Sequence, residues 1–213
     1  STRVKRSRIS AVGWPIGGQL LAEFGIFVVL GVLVGRLGQV AAAAHQVAFT
    51  LITIPYSFAL GAGAASTVRV GRALGSGAAG EVRARTWAAL IAAAPIGGGV
   101  AIALLVAPEF LISWLTDDAD VSSAAVPLVR LAAFVQLADF GQSILGGALR
   151  GLQRTRPILV AHSLGHYGVG LPIAWWAISE GGGATGLWVG LCAGLAAVVA
   201  GLATYFARMT GDP

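Results

Sequence analysis

Residues 10–35, SAVGWPIGGQLLAEFGIFVVLGVLVG, form an apolar stretch with one charged side chain, Glu23, near its middle. A helix needs about 20 predominantly apolar residues to cross the hydrocarbon core of a bilayer. The stretch is long enough to predict a membrane-spanning helix. An ionisable side chain at bilayer depth is costly to keep there and usually serves to bind an ion, a proton or a ligand. The stretch therefore indicates a membrane protein and gives Glu23 as its first candidate functional residue.

Five further stretches have the same apolar character. The six predicted spanning helices cover about residues 10–35, 44–69, 84–108, 121–149, 157–179 and 183–207. The whole chain is 56% hydrophobic and 11% charged, whereas a soluble domain has about 25% charged residues. The apolar runs are continuous and do not alternate with polar residues, which argues against membrane-spanning strands. The sequence predicts an all-α integral membrane protein with six transmembrane helices and no soluble domain.

The basic residues lie between the apolar segments and form no single patch, so the net charge of +5 does not indicate a nucleic-acid partner. With a cytoplasmic N-terminus, alternate crossings place all but two of the 14 lysine and arginine residues on the cytoplasmic side, the exceptions being Arg36 and Arg130. Cytoplasmic loops of membrane proteins carry this excess of basic residues. We expect a multi-pass protein of the plasma (inner) membrane with both ends of this segment in the cytoplasm.

A second acid, Asp139, interrupts the fourth apolar segment. It follows Arg130 by nine residues, a distance of about 13.5 Å along a helix axis. If Arg130 marks the outer interface, Asp139 lies near the middle of a hydrocarbon core about 30 Å thick. Glu23 lies at a similar depth, so we expect the two acids to meet in one internal site.

Glutamine side chains accompany both acids. Gln19 lies four residues before Glu23 and shares its helix face, while Gln136 and Gln142 lie three residues to either side of Asp139. Carboxylate and amide oxygens suit a hard cation such as Na⁺. The same acids equally suit a proton, because a carboxyl group withdrawn from water favours its neutral form. An alternative is that two neutral acids only stabilise contacts between helices.

Other kinds of chemistry have little support in the sequence. His162 and His166 are four residues apart, but a metal site would need a third ligand that the segment lacks, so ordinary polar packing is expected. The glycines form no phosphate-binding loop, and Lys5 is the only lysine. No pairing of a nucleophile with a base is evident. We expect no enzyme activity, no cofactor, and no metal apart from Na⁺ at Glu23 and Asp139.

Several short motifs together resemble the C-terminal half of the multidrug and toxic compound extrusion (MATE) transporters. Their order and spacing match over essentially the whole chain. They are Trp14-Pro15-Ile16 before Glu23, AAHQVA at 43–48, GAASTVRVG at 63–71, QLAD at 136–139 with Gln142, GGALRG at 146–151, TRP at 155–157, GLP at 170–172 and GLWVG at 186–190.

The resemblance implies a transporter of twelve helices in two six-helix lobes around a central cavity, with this chain as the C-terminal lobe. It implies export of organic cations or other drug-like amphipathic compounds in exchange for Na⁺ or H⁺. Glu23 and Asp139 match acids that contribute to cation coupling in the family, and Gln46 and Gln136 match polar positions of the cavity. The N-terminal lobe would be absent from this chain, which is then a fragment or a half-length protein that pairs with a second copy.

Two other functions are compatible with a chain of this kind. A lipid-linked oligosaccharide flippase belongs to the same superfamily, but it would favour a large basic cavity, whereas the mid-span charges here are acidic. A membrane fragment or subunit that does not transport is the other alternative. It predicts that neutral substitutions of Glu23 and Asp139 are harmless.

Overall fold

The computed structural model describes the backbone of residues 2–211 and the side chains of residues 13–211, and every regular element in this range is helical. The predicted cytoplasmic cluster of Arg3, Lys5, Arg6 and Arg8 lies outside the described side chains. The prediction of an all-α protein is confirmed. The helices are α1 (Thr2–Gly35), α2 (Gln39–Gly75), α3 (Val82–Val106), α4 (Pro108–Ile112), α5 (Ala119–Gly151), α6 (Arg156–Ser163), α7 (Leu171–Ser179) and α8 (Gly183–Thr210), with a 3-10 turn at Ala79–Glu81 and a π-helical segment at Leu164–Gly170.

The prediction of six spanning α-helices needs a correction. Within the described residues, five helices are long and apolar enough to cross a membrane: the part of α1 from Gly13 to Gly35, and α2, α3, α5 and α8. The predicted fifth span, 157–179, is three consecutive helical pieces: α6, the π-helical segment and α7. The backbone stays helical at both joins, with φ −70° and ψ −41° at Leu164 and φ −65° and ψ −43° at Leu171. The polypeptide therefore continues through this region as one irregular helix.

Pro172 and a group of glycines account for the irregular helix. Pro172 has no backbone N–H and cannot donate to the carbonyl four residues earlier. The π-helical segment directly precedes α7, which carries Pro172 in its first turn, and it contains Gly165, Gly168 and Gly170. A missing helix bond is commonly accommodated in membrane proteins by a local change in helix type. Hydropathy shows the apolar character of this segment but not its change of helix type.

The centre of the bundle is the contact between α2 and α5, which pack more extensively than any other pair of elements. Small residues bring their backbones together: Gly63 of α2 lies against Gly147 of α5, and Thr67 of α2 lies against Gly151 of α5. Ser66 adds a buried hydrogen bond, its hydroxyl donating to the carbonyl oxygen of Ile144 at 3.0 Å. Small residues spaced four apart are a common way for membrane helices to approach closely. This contact fixes the position of α5 in the bundle.

The exterior of the bundle is strongly apolar. Ile54 is 72% exposed, Ile91 is 69% exposed and Val106 is 77% exposed. Soluble monomers rarely expose large continuous apolar surfaces, whereas hydrocarbon chains solvate such side chains well. The described surface is therefore that of a protein embedded in lipid, as the composition predicts.

Candidate functional site

Glu23 of α1 and Asp139 of α5 are brought together inside the bundle, as the sequence predicts. Glu23 is 7% exposed and Asp139 is 4% exposed. The side-chain amide of Gln142 donates to Asp139 Oδ1 at 2.8 Å and to Glu23 Oε1 at 3.4 Å. One amide nitrogen thus joins carboxyl groups from two helices that are far apart in sequence.

Glu23 is held by further donors from its own helix and from α2. The hydroxyl of Tyr56 donates to Glu23 Oε1 at 3.0 Å, and the amide of Gln19 donates to Glu23 Oε2 at 3.2 Å. The guanidinium of Arg150 in turn donates to the amide oxygen of Gln19 at 3.2 Å. A chain of polar side chains therefore runs from Arg150, in the last turn of α5, through Gln19 to the carboxyl group.

A histidine from α6 completes the surroundings of Glu23. His162 is 2% exposed, and its Nδ1 lies 3.8 Å from Glu23 Oε2. That separation is longer than a hydrogen bond, so the two groups are neighbours without a direct bond in this conformation. Carboxyl oxygens and a ring nitrogen from three helices consequently face one another within a few ångströms.

A cavity of about 130 Å³ opens beside the two acids, between α1, α2 and α5. A single water needs roughly 10–15 Å³ by this measure, so the space suits a small ion together with several waters. Its polar lining comes from Glu23, Asp139, Tyr56 and Thr53, and its apolar lining comes from Phe24, Phe27, Phe49 and Ile52.

The arrangement is well suited to binding and releasing a small cation. Two carboxylates that share one amide donor in a poorly solvated site repel each other, and their burial is costly without compensation. Either a proton or Na⁺ on one of the acids removes much of that cost. Among the described residues, no group of three or more His, Cys, Asp or Glu side chains is placed to hold a metal ion.

The remaining predicted site residues lie in different places. Gln136 is fully buried, and neither Nε2 nor Oε1 has a hydrogen-bond partner in the described part of the chain. Gln46 lies on an exposed face of α2, where its amide is 3.4 Å from the hydroxyl of Thr50. It also borders an open groove that shares Phe24, Phe27 and Phe49 with the acid cavity. Gln19 and Gln142 contact the acids directly, whereas Gln46 and Gln136 make no hydrogen bond to them.

Sequence reasoning missed three residues around Glu23: Tyr56, Arg150 and His162. Tyr56 could have been found by counting outward from the turn between α1 and α2, which places it within about one and a half helical turns of the level of Glu23. His162 was considered together with His166 as a possible pair of metal ligands, but ordinary polar packing was expected there. No sequence signal gives its contact with Glu23, since that contact depends on which helix packs beside α1.

The family model and two similar curated relatives point to the same protein family. The sequence model of the MatE family matches residues 15–176. Multidrug resistance protein NorM of Burkholderia vietnamiensis is 36% identical over an alignment of 213 positions. The alignment covers 94% of this chain and 45% of the relative. Probable multidrug resistance protein NorM of Xanthomonas axonopodis pv. citri (strain 306) is 38% identical over 193 residues, covering 89% of this chain and 42% of the relative. The chain spans less than half the length of these relatives.

Solved structures show the same fold. A crystal structure of MATE in complex with MaL6 superimposes with a TM-score of 0.85 at 18% identity, over 96% of this chain and 46% of that one. An outward-facing multidrug resistance MATE family transporter of the MOP superfamily superimposes with a TM-score of 0.81 at 18% identity. At such identity the likeness concerns the fold alone. The match of the family model over residues 15–176 shows that the chain belongs to the MatE family, a family of multi-pass membrane transporters and not of enzymes.

Proposed function

We propose that the chain forms one lobe of a secondary active antiporter that exports organic cations or other amphipathic compounds in exchange for Na⁺ or H⁺. The observation that carries the proposal is the joining of Glu23 and Asp139 by Gln142 beside a small cavity. Coupling-ion sites of secondary transporters lie near the middle of the membrane. The two acids supply negative charge at that depth, and the amide holds them in one site.

The size of the cavity supports a role in binding the ion and not the exported compound. Drug-sized ligands occupy pockets of about 300–1,000 Å³, whereas the cavity beside the acids measures about 130 Å³. The organic compound therefore needs a larger space outside the packed interior of this lobe. A central cavity between this lobe and a second one would provide it.

A polar stripe on α2 supports the proposal that a second lobe faces this helix. Gln46, Thr50, Thr53 and Ser57 follow one another at helical spacing, and all four are exposed. The three hydroxyls donate to backbone carbonyls of α2, whereas the amide of Gln46 has only a long contact of 3.4 Å to Thr50 among the described residues. An amide without good hydrogen bonds is costly in hydrocarbon, so this side of α2 is expected to face protein or water. The stripe borders the acid cavity, which Thr53 also lines. We assign it to the central cavity, closed by an N-terminal lobe or by a second copy of this chain.

The positions of the basic residues support a plasma (inner) membrane protein with both ends of this segment in the cytoplasm. Arg72 lies in the last turn of α2, Arg150 in that of α5 and Arg208 in that of α8. If these three helices all run towards the cytoplasm, their basic residues obey the positive-inside rule. In the same orientation, the polar side chains of Arg150 and Gln19, which lead to Glu23, lie on the cytoplasmic side of the two acids.

Gradient-driven efflux tests the proposed function. Membrane vesicles from cells that express the gene for this chain are loaded with a fluorescent organic cation, and its release is followed after a pH gradient or a Na⁺ gradient is imposed. We expect one of the two gradients to accelerate release relative to vesicles without a gradient. Release that responds to neither gradient would contradict the proposal and favour a subunit that does not transport.

A further inference from the structure

Two buried histidines lie beside the acid site and have no role in the mechanism described so far. His162 of α6 is 2% exposed, and His166 of the π-helical segment is 1% exposed. Their rings are 5.6 Å apart between centroids and inclined at 56°. The chain contains only three histidines, so two of them occupy this one position in the bundle.

Both rings carry nitrogens without hydrogen-bond partners. Within the described residues, Nδ1 of His162 and both ring nitrogens of His166 are buried and unpaired. Buried polar atoms are almost always hydrogen-bonded, and leaving one unpaired is unfavourable. Three unpaired nitrogens next to a coupling site therefore suggest groups that gain a partner in another protonation or conformational state.

The glycines of the π-helical segment pack closely against α8. A Cβ added at Gly165 would lie 2.8 Å from the carbonyl oxygen of Gly194, and one added at Gly170 would lie 3.0 Å from that of Gly190. The π-helical segment therefore lies against the backbone of α8, while α6 packs against α1. Single turns of π-helix are frequent at functional sites.

The charged and titratable groups around His162 come from several elements. Glu23 approaches from α1, with Nδ1 of His162 3.8 Å from Oε2. Arg150 and Asp139 of α5 and Tyr56 of α2 are connected to Glu23 through hydrogen bonds, either directly or through a glutamine. His166 lies in the π-helical segment, and α8 packs against that segment through Gly194 and Val198. Glu23 is thus the nearest acid to the ring.

We propose that His162 is the proton partner of Glu23, so that the lobe takes up and releases H⁺ through an imidazole–carboxyl pair. The proton leaves Nδ1 of the imidazolium and bonds to Oε2 of the carboxylate, giving a neutral imidazole and a neutral carboxylic acid. The N–H bond breaks, the O–H bond forms, and the total charge is unchanged. A rearrangement of about 1 Å brings the two atoms from 3.8 Å to about 2.8 Å, the length of a charge-assisted hydrogen bond.

Chemistry favours a proton over Na⁺ for this pair. Na⁺ is a hard cation that takes oxygen ligands, whereas an imidazole nitrogen takes up and releases a proton. His166, with both ring nitrogens unpaired, extends the proton-binding groups one turn further along the segment. This inference rests on the proposed function and names its coupling ion as H⁺.

Nitrogen NMR of the three histidines tests whether His162 and Glu23 form a proton-sharing pair. The full chain is labelled with ¹⁵N-histidine in lipid nanodiscs, and His45, His162 and His166 are assigned with single His→Gln variants. We expect Glu23→Gln to change the ring signals of His162, since the substitution removes the acid that lies 3.8 Å from its Nδ1. His45, which accepts a hydrogen bond from the indole of Trp188 at 3.1 Å, serves as the internal reference and keeps its signals.

Efflux assays separate this inference from the proposed function. We expect His162→Gln to lower efflux driven by a pH gradient at least about tenfold and to displace its pH profile, an effect that a purely structural role would not produce. If Glu23→Gln abolishes efflux but leaves the His162 signals and their titration unchanged, the proton-partner inference is wrong and the antiport proposal stands. If Glu23→Gln transports normally, the antiport proposal itself fails.

Discussion

Glu23→Gln and Asp139→Asn each abolish gradient-driven efflux while the protein remains in the membrane. Each substitution removes a carboxylate from a buried site and leaves an isosteric amide, so packing is preserved while the charge that binds the cation is lost. Removing one partner of a buried ionic interaction costs about 3–5 kcal/mol, which corresponds to a loss of about 10²- to 4 × 10³-fold. The measurement is the initial rate of release of a fluorescent organic cation from vesicles under an imposed ion gradient.

Exposed acids provide matched controls. Glu81→Gln changes a carboxylate that pairs with Arg85 on the surface at 2.6 Å, and Asp117→Asn changes an exposed carboxylate in the loop before α5. Surface ion pairs contribute about 0–1 kcal/mol, so both controls should retain efflux. Equal amounts of each protein in the membrane are established by immunoblot. Wild-type efflux in Glu23→Gln and Asp139→Asn would show that the lobe does not couple transport to an ion at these acids.

Gly147→Ala strongly destabilises the lobe. A Cβ at this position would clash with the carbonyl oxygen of Gly63, and no side-chain rearrangement relieves the clash because the atoms that it meets are backbone. Helices α2 and α5 would have to separate along the most extensive contact of the bundle. Forced overpacking costs about 1–3 kcal/mol and sometimes more, which lowers the melting temperature by about 2–4 °C per kcal/mol in a chain of this size. The shift is measured by thermal unfolding in detergent.

The neighbouring glycine is the control for this effect. A Cβ at Gly146 would meet only the guanidinium of Arg150, at 3.7 Å or more, which is ordinary van der Waals contact. Gly146→Ala is the same substitution in the same helix turn, so it has the same effect on helix propensity. We expect Gly146→Ala to melt within a few degrees of the wild type. Similar melting temperatures for the two variants would show that the α2–α5 contact is looser than described.

The acid pair was predictable because depth along a helix can be counted from the sequence. Glu23 is near the middle of its apolar stretch, and Asp139 lies at a similar depth by its distance from Arg130. Spacing also predicted that Gln142 shares the surroundings of Asp139. These inferences need only the geometry of single helices, and the structure brings the three side chains together.

The rest of the site depends on which helices are neighbours, and single-helix periodicity does not contain that information. Backbone contacts such as Gly63 against Gly147 and Gly165 against Gly194 set the order of the bundle. Only once α6 is known to pack beside α1 does His162 become a neighbour of Glu23. The π-helical geometry before Pro172 escaped prediction for a related reason. Hydropathy depends only on the composition of a segment. A regular and an irregular helix of the same composition therefore have the same hydropathy.

A double-mutant cycle with exchanged acids asks whether Glu23 and Asp139 act as one ion site. Glu23→Asp shortens one carboxyl side chain by a methylene and Asp139→Glu lengthens the other, so the combined variant returns the same groups to the shared cavity in exchanged positions. Neighbouring residues that share partners show interaction energies of about 0.5–3 kcal/mol, which correspond to about 2- to 150-fold in rate. We predict that the double variant exceeds, by a factor in this range, the efflux expected from multiplying the two single effects. Efflux equal to that product would mean that the two acids act independently, and it would contradict a shared ion site.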